Sequence, residues 1–354
     1  MKKFFAVFLL VIFSTVLTLA ASELIVRIFC PQPFFSFFAT SSEKWQKGDN
    51  DWFSGKNAIT FSRKMGIDCP VGLFDRKHNL EKRPDTFRIL VLGDSVTVHG
   101  NPPYPLMFED LLNKNSKGKK YEVWNLAVPT YNTFQEKEYF KEKGIKLDPD
   151  MIIIGFCLND FAPSYIALKV KGMTVLCQAH DEVWIGISPF LFTHSHLYRL
   201  VINRIMDSRA RFLARIDEKK LKKETARYRD LSLRYYQIVY DSMKYFKAVS
   251  CERKIPLLVL VFPILKDEGK YTPYERDAYA AILDMCKEFD IAYLDLKPYF
   301  EEIGKWDDFR YLQRESDYFH FNNKGHALVA DSIFDYFNSL NGGLYARSRI
   351  DQSD

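Results

Sequence analysis

From Phe87 onward the chain alternates short apolar runs with longer amphipathic stretches, and no other feature limits its possible folds as tightly. A strand covered on both faces reads as a continuous apolar run, whereas the helix that covers it repeats its apolar residues at helical spacing. Five runs fit strands: Phe87–Leu92, Glu122–Leu126, Met151–Phe156, Pro256–Phe262 and Ile291–Leu296, each bounded by polar or turn residues. Helical spacing is present near 104–114, 133–144, 227–253, 274–289 and 324–339. Strands alternating with helices build βαβ units, so a three-layer α/β domain with a parallel sheet of five strands is expected. Residues 161–225 break the rhythm, being too long for one crossover helix, and read as an insertion.

The other strong signal lies at the start. Met1-Lys2-Lys3 precedes an uncharged apolar run from Phe4 to Ala21, long enough to cross a bilayer. Lysines ahead of such a run stay on the cytoplasmic side, which places everything after Glu23 outside the cytoplasm, in the periplasm or at the cell surface. An uncleaved single-pass anchor is the reading adopted, because Leu24-Ile25-Val26 continues the apolar run after a single Glu. A cleaved signal peptide, with Thr18 and Ala20 as the small residues before the cut, is the alternative and would release a secreted protein. The expected organisation is an anchor at 1–22, a juxtamembrane connector at 23–84 with a Phe34–Phe38 aromatic cluster, the α/β domain at 85–340 carrying the insertion 161–225, and a tail at 341–354.

A net charge of +5 is too small and too dispersed for a nucleic-acid binder. The basic stretch between Arg199 and Asp230 reads as a solvated helical face, with an anionic partner surface as the alternative. Six cysteines, Cys30, Cys69, Cys157, Cys177, Cys251 and Cys286, show neither a CxxC nor a zinc spacing, so no metal is expected and no disulfide pairing is selected.

Gly93-Asp94-Ser95-Val96-Thr97 directly follows the first strand, and a hydroxyl residue there stands at the carboxyl edge of the sheet, where ligands bind in open α/β folds. In the flavodoxin-like strand order the third strand is neighbour to the first, which brings Asn159-Asp160 across the crevice from Ser95. A serine hydroxyl needs a base, and the base needs a partner that fixes its tautomer. Asp317-Tyr318-Phe319-His320 supplies both, followed by Asn322-Asn323-Lys324-Gly325, a turn and helix start. His99, His180, His194, His196 and His326 read as surface or structural residues.

Gly93-Asp94-Ser95, Asn125 through Thr133, Asn159-Asp160 and Asp317-x-x-His320 together resemble the ordered blocks of the SGNH/GDSL hydrolase family, over roughly Phe87 to Leu340. No GxSxG elbow is present, which argues against the α/β-hydrolase fold. The resemblance implies a three-layer α/β/α flavodoxin-like SGNH fold and a triad of Ser95, His320 and Asp317. It also implies an oxyanion hole from the backbone N–H groups of Ser95 and Thr130 and the side chain of Asn159, with Asp94, Asn125 and Asp160 in supporting roles. Two positions depart from the family pattern: Thr130 and Cys157 stand where glycine is usual. A β-branched residue resists positive φ, and the Cys157 side chain is expected near the crevice.

These residues imply a cofactor-free serine esterase or acyl hydrolase working through an acyl-serine, on an acylated small molecule or glycan. O-acyl transfer to a cell-surface glycan uses the same intermediate with a different acceptor. A non-catalytic module that binds an envelope protein partner is the third reading, motivated by Thr130 and Cys157.

Overall fold

The computed structural model describes residues 2–32, 60–62, 66–68, 71–72, 74–116, 118–162, 165–170, 173–178, 188–202, 204–205, 208, 233–311 and 317–350. The Phe34–Phe38 cluster, Cys69, His180 and most of the basic stretch after Arg199 lie outside these residues, as does most of the connector. Chain contacts divide the molecule into two units, one of Met1–Asp51, Phe61–Gly66 and Ile166–Lys223, the other of the remaining residues.

The second unit holds a parallel sheet of five strands: β1 (Thr86–Leu92), β2 (Lys120–Asn125), β3 (Met151–Phe156), β4 (Leu257–Val261) and β5 (Ala292–Asp295), in the order β2-β1-β3-β4-β5. This is the flavodoxin-like arrangement, and each expected strand is present to within two residues at either end. Val91 is level with Asn125 and Leu92 with Ile154, so β1, β2 and β3 end along one edge of the sheet. The three central strands, β1, β3 and β4, bury both faces. Ile89, Leu90, Val91, Leu92, Ile152, Ile153 and Ile154 are all fully buried, each contributing about 1.5–3 kcal/mol of apolar transfer free energy. Ile89, Val91 and Ile153 point into one core with α3 (Tyr104–Asn115) and α8 (Asn323–Ile350), through Tyr104, Phe108, Val329 and Ile333. Helices α4 (Thr133–Glu142), α5 (Leu233–Arg253) and α6 (Pro273–Glu288) stay outside that core and cover the opposite face, where Phe140 and Phe246 join α4 to α5 with ring centroids 5.6 Å apart. The short helices α2 (Ser95–Val98) and α7 (Lys297–Ile303) follow β1 and β5.

Beneath the carboxyl edge lies Glu136 of α4, fully buried, with no hydrogen-bond partner for either carboxylate oxygen. Burial, and then the neighbouring Asp160 and Asp94, raise its pKa well above the ordinary carboxylate value, so the folded protein holds this group as the neutral acid. The unfolded chain ionises first as pH climbs past the ordinary glutamate value of about 4.5, which favours unfolding; stability is therefore lost from there up to the folded pKa. Glu136→Gln removes that loss. Its melting temperature at pH 8 is expected to exceed the wild type by roughly 4 °C or more, with the difference vanishing below about pH 4, as calorimetry across that range would measure.

The first unit contains α1 (Lys2–Phe29), in which an 18-residue apolar window has a mean hydropathy of 2.6 and is not buried. Among the described residues it is the one helix long and apolar enough to cross a membrane, a property that a signal sequence shares. Two short strands, Tyr165–Val170 and Met173–Gln178, pair with each other, and Pro189–His194 is helical.

Candidate active site

Gly93 leaves β1 and Ser95 opens α2, with Asp94 between them as the helix cap: its Oδ1 accepts the Val96 N–H at 2.9 Å. Glycine is required at 93 because a Cβ there would collide with the Thr97 hydroxyl, which is buried under the turn. The sharp exit from the strand therefore leaves the Ser95 side chain half-exposed at the sheet edge.

His320 arrives from the far end of the chain on a short loop fastened at several points. Tyr311 N–H donates to the His320 carbonyl (2.9 Å), Leu265 N–H to Tyr318 O (2.8 Å) and Asn322 N–H to Phe309 O (2.7 Å), while Phe321 is fully buried. Asn322 caps the start of α8, accepting from Lys324 and Gly325 N–H groups at 2.9 and 3.1 Å. Held in this way, His320 places Nε2 2.9 Å from Ser95 Oγ and Nδ1 3.1 Å from both Asp317 carboxylate oxygens. Burial alone would raise the Asp317 pKa, but the adjacent His320 ring and the N–H groups of His320 and Phe319 outweigh it and hold the carboxyl below its ordinary value. Asp317 therefore stays charged into the acid range.

Asp94 also reaches the third block. Its Oδ2 accepts Asn159 Nδ2 at 2.5 Å, so one carboxylate orients both the Ser95 turn and the Asn159 amide, leaving the second Asn159 N–H toward solvent-exposed space. Asp160 is buried one residue further on, accepting Thr133 Oγ1 (2.7 Å) and Cys157 N–H (2.8 Å), which ties β3 to the start of α4. Burial and the Asp94 charge both raise its pKa. Asn125 fixes the second block, accepting Ala127 N–H at 3.1 Å and donating to Phe74 O at 3.2 Å.

Thr130 adopts φ 76°, the conformation glycine would take without cost. A β-branched residue there carries about 1–2 kcal/mol of backbone strain. The surrounding loop holds it: Val128 N–H bonds to Gly93 O at 3.0 Å and Tyr131 N–H to Val128 O at 3.1 Å, and the Asn132–Gln135 capping box starts α4 immediately after. The N–H groups of Ser95 and Thr130 donate to no described protein atom. Cys157 is a free, buried thiol in the core cluster that includes Val96 and Phe262, as its place at the end of an apolar run implies, and it caps the Leu158–Phe161 turn. Its thiol pKa is pushed well up, first by burial and then by Asp94 and Asp160, which leaves it unreactive.

Two further histidines lie in arrangements that the sequence does not reveal: His99, which reads there as a surface or structural residue, and His78. His99 lies against His320 with ring centroids 4.7 Å apart and stacks on Tyr311 at 5.8 Å. Its own pKa falls to about 4, by burial first and then by His320, so it remains neutral when an imidazolium forms beside it. His78 follows Asp75 at the same spacing that joins His320 to Asp317. Its Nε2 faces Asp75 and Glu109 carboxylates at 3.2 and 3.6 Å, and its ring stacks on Trp124. Among the described residues no hydroxyl meets it, and this pair braces the sheet edge. His326 is buried in α8, where Nδ1 accepts Tyr104 N–H at 3.3 Å.

Among the described residues no cluster of His, Cys, Asp and Glu has the arrangement of a metal site. A model of the GDSL-like lipase/acylhydrolase family matches residues 91–328. No curated protein matches the chain. Among solved structures it is similar to the lipase/acylhydrolase from Enterococcus faecalis, at 11% identity over 72% of this chain and 96% of that one, with a TM-score of 0.42. Axe2, an acetylxylan esterase from Geobacillus stearothermophilus, aligns at 12% identity over 70% and 93% of the two chains, with a TM-score of 0.42. A two-domain esterase (CEX) active on acetylated mannans aligns at 13% identity over 72% of this chain and 49% of that one, with a TM-score of 0.43.

Proposed function

Since this chain belongs to the GDSL-like lipase/acylhydrolase family, we propose that it hydrolyses an ester-linked acyl group through a covalent intermediate on Ser95. One observation carries the reading: Ser95 Oγ lies 2.9 Å from His320 Nε2 while Asp317 brackets Nδ1 from the other side at 3.1 Å.

In this mechanism His320 takes the Ser95 proton as Oγ attacks the ester carbonyl, and Asp317 stabilises the imidazolium that results. The carbonyl oxygen becomes an oxyanion, for which the unspent N–H groups of Ser95 and Thr130 and the free N–H of Asn159 are the donors. His320 returns its proton to the departing alcohol, leaving an acyl-serine. Water then attacks, giving its proton to His320, and the collapse of the second tetrahedral intermediate releases the acid and restores the Ser95 hydroxyl. Ester substrates of this kind include acylated small molecules and acylated glycans, and the chain's own residues complete the cycle without a cofactor.

The domain from 85 to 340 would carry this chemistry, with α1 as its membrane anchor and the catalytic domain on the extracytoplasmic side. The two departures that motivate a non-catalytic role are both accommodated, Thr130 by adopting the glycine-like φ and Cys157 by turning into the core. Transfer to a glycan hydroxyl rests on the apolar N-terminal segment alone.

The oxyanion donor gives the discriminating experiment. Asn159→Ala is expected to lower kcat on a short-chain chromogenic ester by about 10²–10³-fold with KM nearly unchanged, because the donor acts on charge that exists only in the transition state. A change confined to KM would overturn the assignment.

A further inference from the structure

The first unit contains contacts that the hydrolytic reaction does not use. Glu23 is the only acid in α1. Its carboxylate accepts Ser195 Oγ at 2.7 Å and the N–H groups of His196 and Leu197 at 2.9 and 2.8 Å, so it sits at the N-terminal end of the helix that begins at residue 196. A negative charge there is favoured by the helix dipole and by the open N–H groups of the first turn. Arg27, which pairs with Glu23 at 2.9 Å, also donates to His194 O at 3.0 Å. Arg199, almost fully buried, donates to Gln32 O and Phe192 O, both at 2.8 Å. Residues 188–199 are thus latched to the last two turns of α1 and the residues just after it.

The latch sits where a span would end. At 1.5 Å per residue, about 20 residues from Phe4 cover the roughly 30 Å hydrocarbon core, which brings the helix to its outer boundary close to Glu23. Around that level the protein displays large apolar side chains: Phe190 is 45% exposed, Leu191 42%, Val201 47% and Ile205 44%, beside Ile28 and Phe29 of α1 itself. Val201 and Ile205 are one turn apart and share a helix face. With Cys30, Leu200, Arg204 and Ser208 they line an open, largely apolar groove of about 580 Å³. Arg27 and Arg204 stand among these groups, where a guanidinium can reach lipid phosphates while its stem lies along apolar surface.

We infer that residues 188–202 and 204–205 form a membrane-interfacial collar, latched to α1 through Glu23 and Arg199, whose exposed Phe190, Leu191, Val201 and Ile205 enter the boundary between headgroups and acyl chains. The inference rests on the proposed role of α1 as a retained span. Continuity selects the occupant: the groove lined by Val201 and Ile205 includes Cys30, the residue that follows α1, whose exposed apolar face would lie in lipid. Amphipathic segments of this kind lie about 5–10 Å into the bilayer, parallel to its surface.

The test uses the full chain in vesicles of phosphatidylethanolamine and phosphatidylglycerol, with the photo-crosslinking residue benzoylphenylalanine placed singly at positions 190, 205 and 13. Lipid adducts are expected at 190 and 205 as well as at 13 within the span. In Glu23→Ala the adducts at 190 and 205 should fall several-fold while those at 13 persist. Adducts at 13 with none at 190 or 205, or with crosslinks there to a second copy of the chain, would overturn the collar and leave the span standing. Absence of lipid adducts at 13 as well would mean that the span reading itself had failed.

Discussion

Replacing His320 with alanine is expected to lower kcat/KM on a short-chain chromogenic ester by about 10⁴-fold or more. A serine hydroxyl is a poor nucleophile at neutral pH unless a base removes its proton during attack, and Nε2 at 2.9 Å is the one base within reach of Ser95 Oγ among the described residues. Loss of the base should cost about as much as loss of Ser95 itself, because the members of such a unit act together and their effects do not add. The fold should survive, since the imidazole is part-exposed and the loop is held by backbone bonds from Tyr311, Leu265 and Asn322. The purified variant should therefore melt near the wild-type temperature while being almost inactive. Activity within tenfold of wild type would remove His320 from the mechanism.

Asp317→Asn should follow with a loss of about 10²–10⁴-fold, chiefly in kcat. The carboxylate fixes the proton of His320 on Nδ1, which leaves Nε2 free to accept from Ser95. An asparagine amide can donate to Nδ1 instead, and the proton then moves to Nε2, the wrong nitrogen for a base. Because His320 and two backbone N–H groups hold the Asp317 carboxyl below its ordinary pKa, the wild-type carboxylate remains ionised as pH falls toward 4. An acid limb governed by this carboxyl would therefore lie below the ordinary aspartate range. Steady-state kinetics from pH 4 to 9 on both proteins would measure the loss in kcat and should show no limb from this carboxyl within that window.

Much of this arrangement can be read before any coordinates. The sheet was legible because parallel strands buried on both faces leave continuous apolar runs, and the strand order then requires the ends of β1 and β3 to be neighbours. That rule alone brings Asn159 to Asp94. The pairing of Asp317 with His320 was legible from spacing, yet spacing is not sufficient: Asp75 and His78 repeat it and meet Trp124 and Glu109 instead of a hydroxyl. What separates the two pairs is tertiary, namely which loop faces the exit of β1.

The direction of a side chain was harder to foresee. Cys157 falls where an apolar run that implies burial meets a tight turn, and a difference of one step in the turn decides whether its thiol faces crevice or core. Thr130 shows the opposite limit, since a strongly determined loop imposes a positive φ that the residue's own preference resists. His99 gave no signal because its significance is a ring contact with a residue more than two hundred positions away. The latch between Glu23 and residues 195–197 escaped for the same reason, as a lone acid after an apolar run says nothing of its partner.

The central claim is that Ser95 is the nucleophile, and the most direct measurement is the site of covalent modification by a fluorophosphonate probe, read by peptide mass spectrometry. A single adduct is expected on the peptide containing Gly93-Asp94-Ser95, absent in Ser95→Ala and retained in Ser188→Ala. An adduct that persists in Ser95→Ala, or that maps to another serine in the wild type, would contradict it.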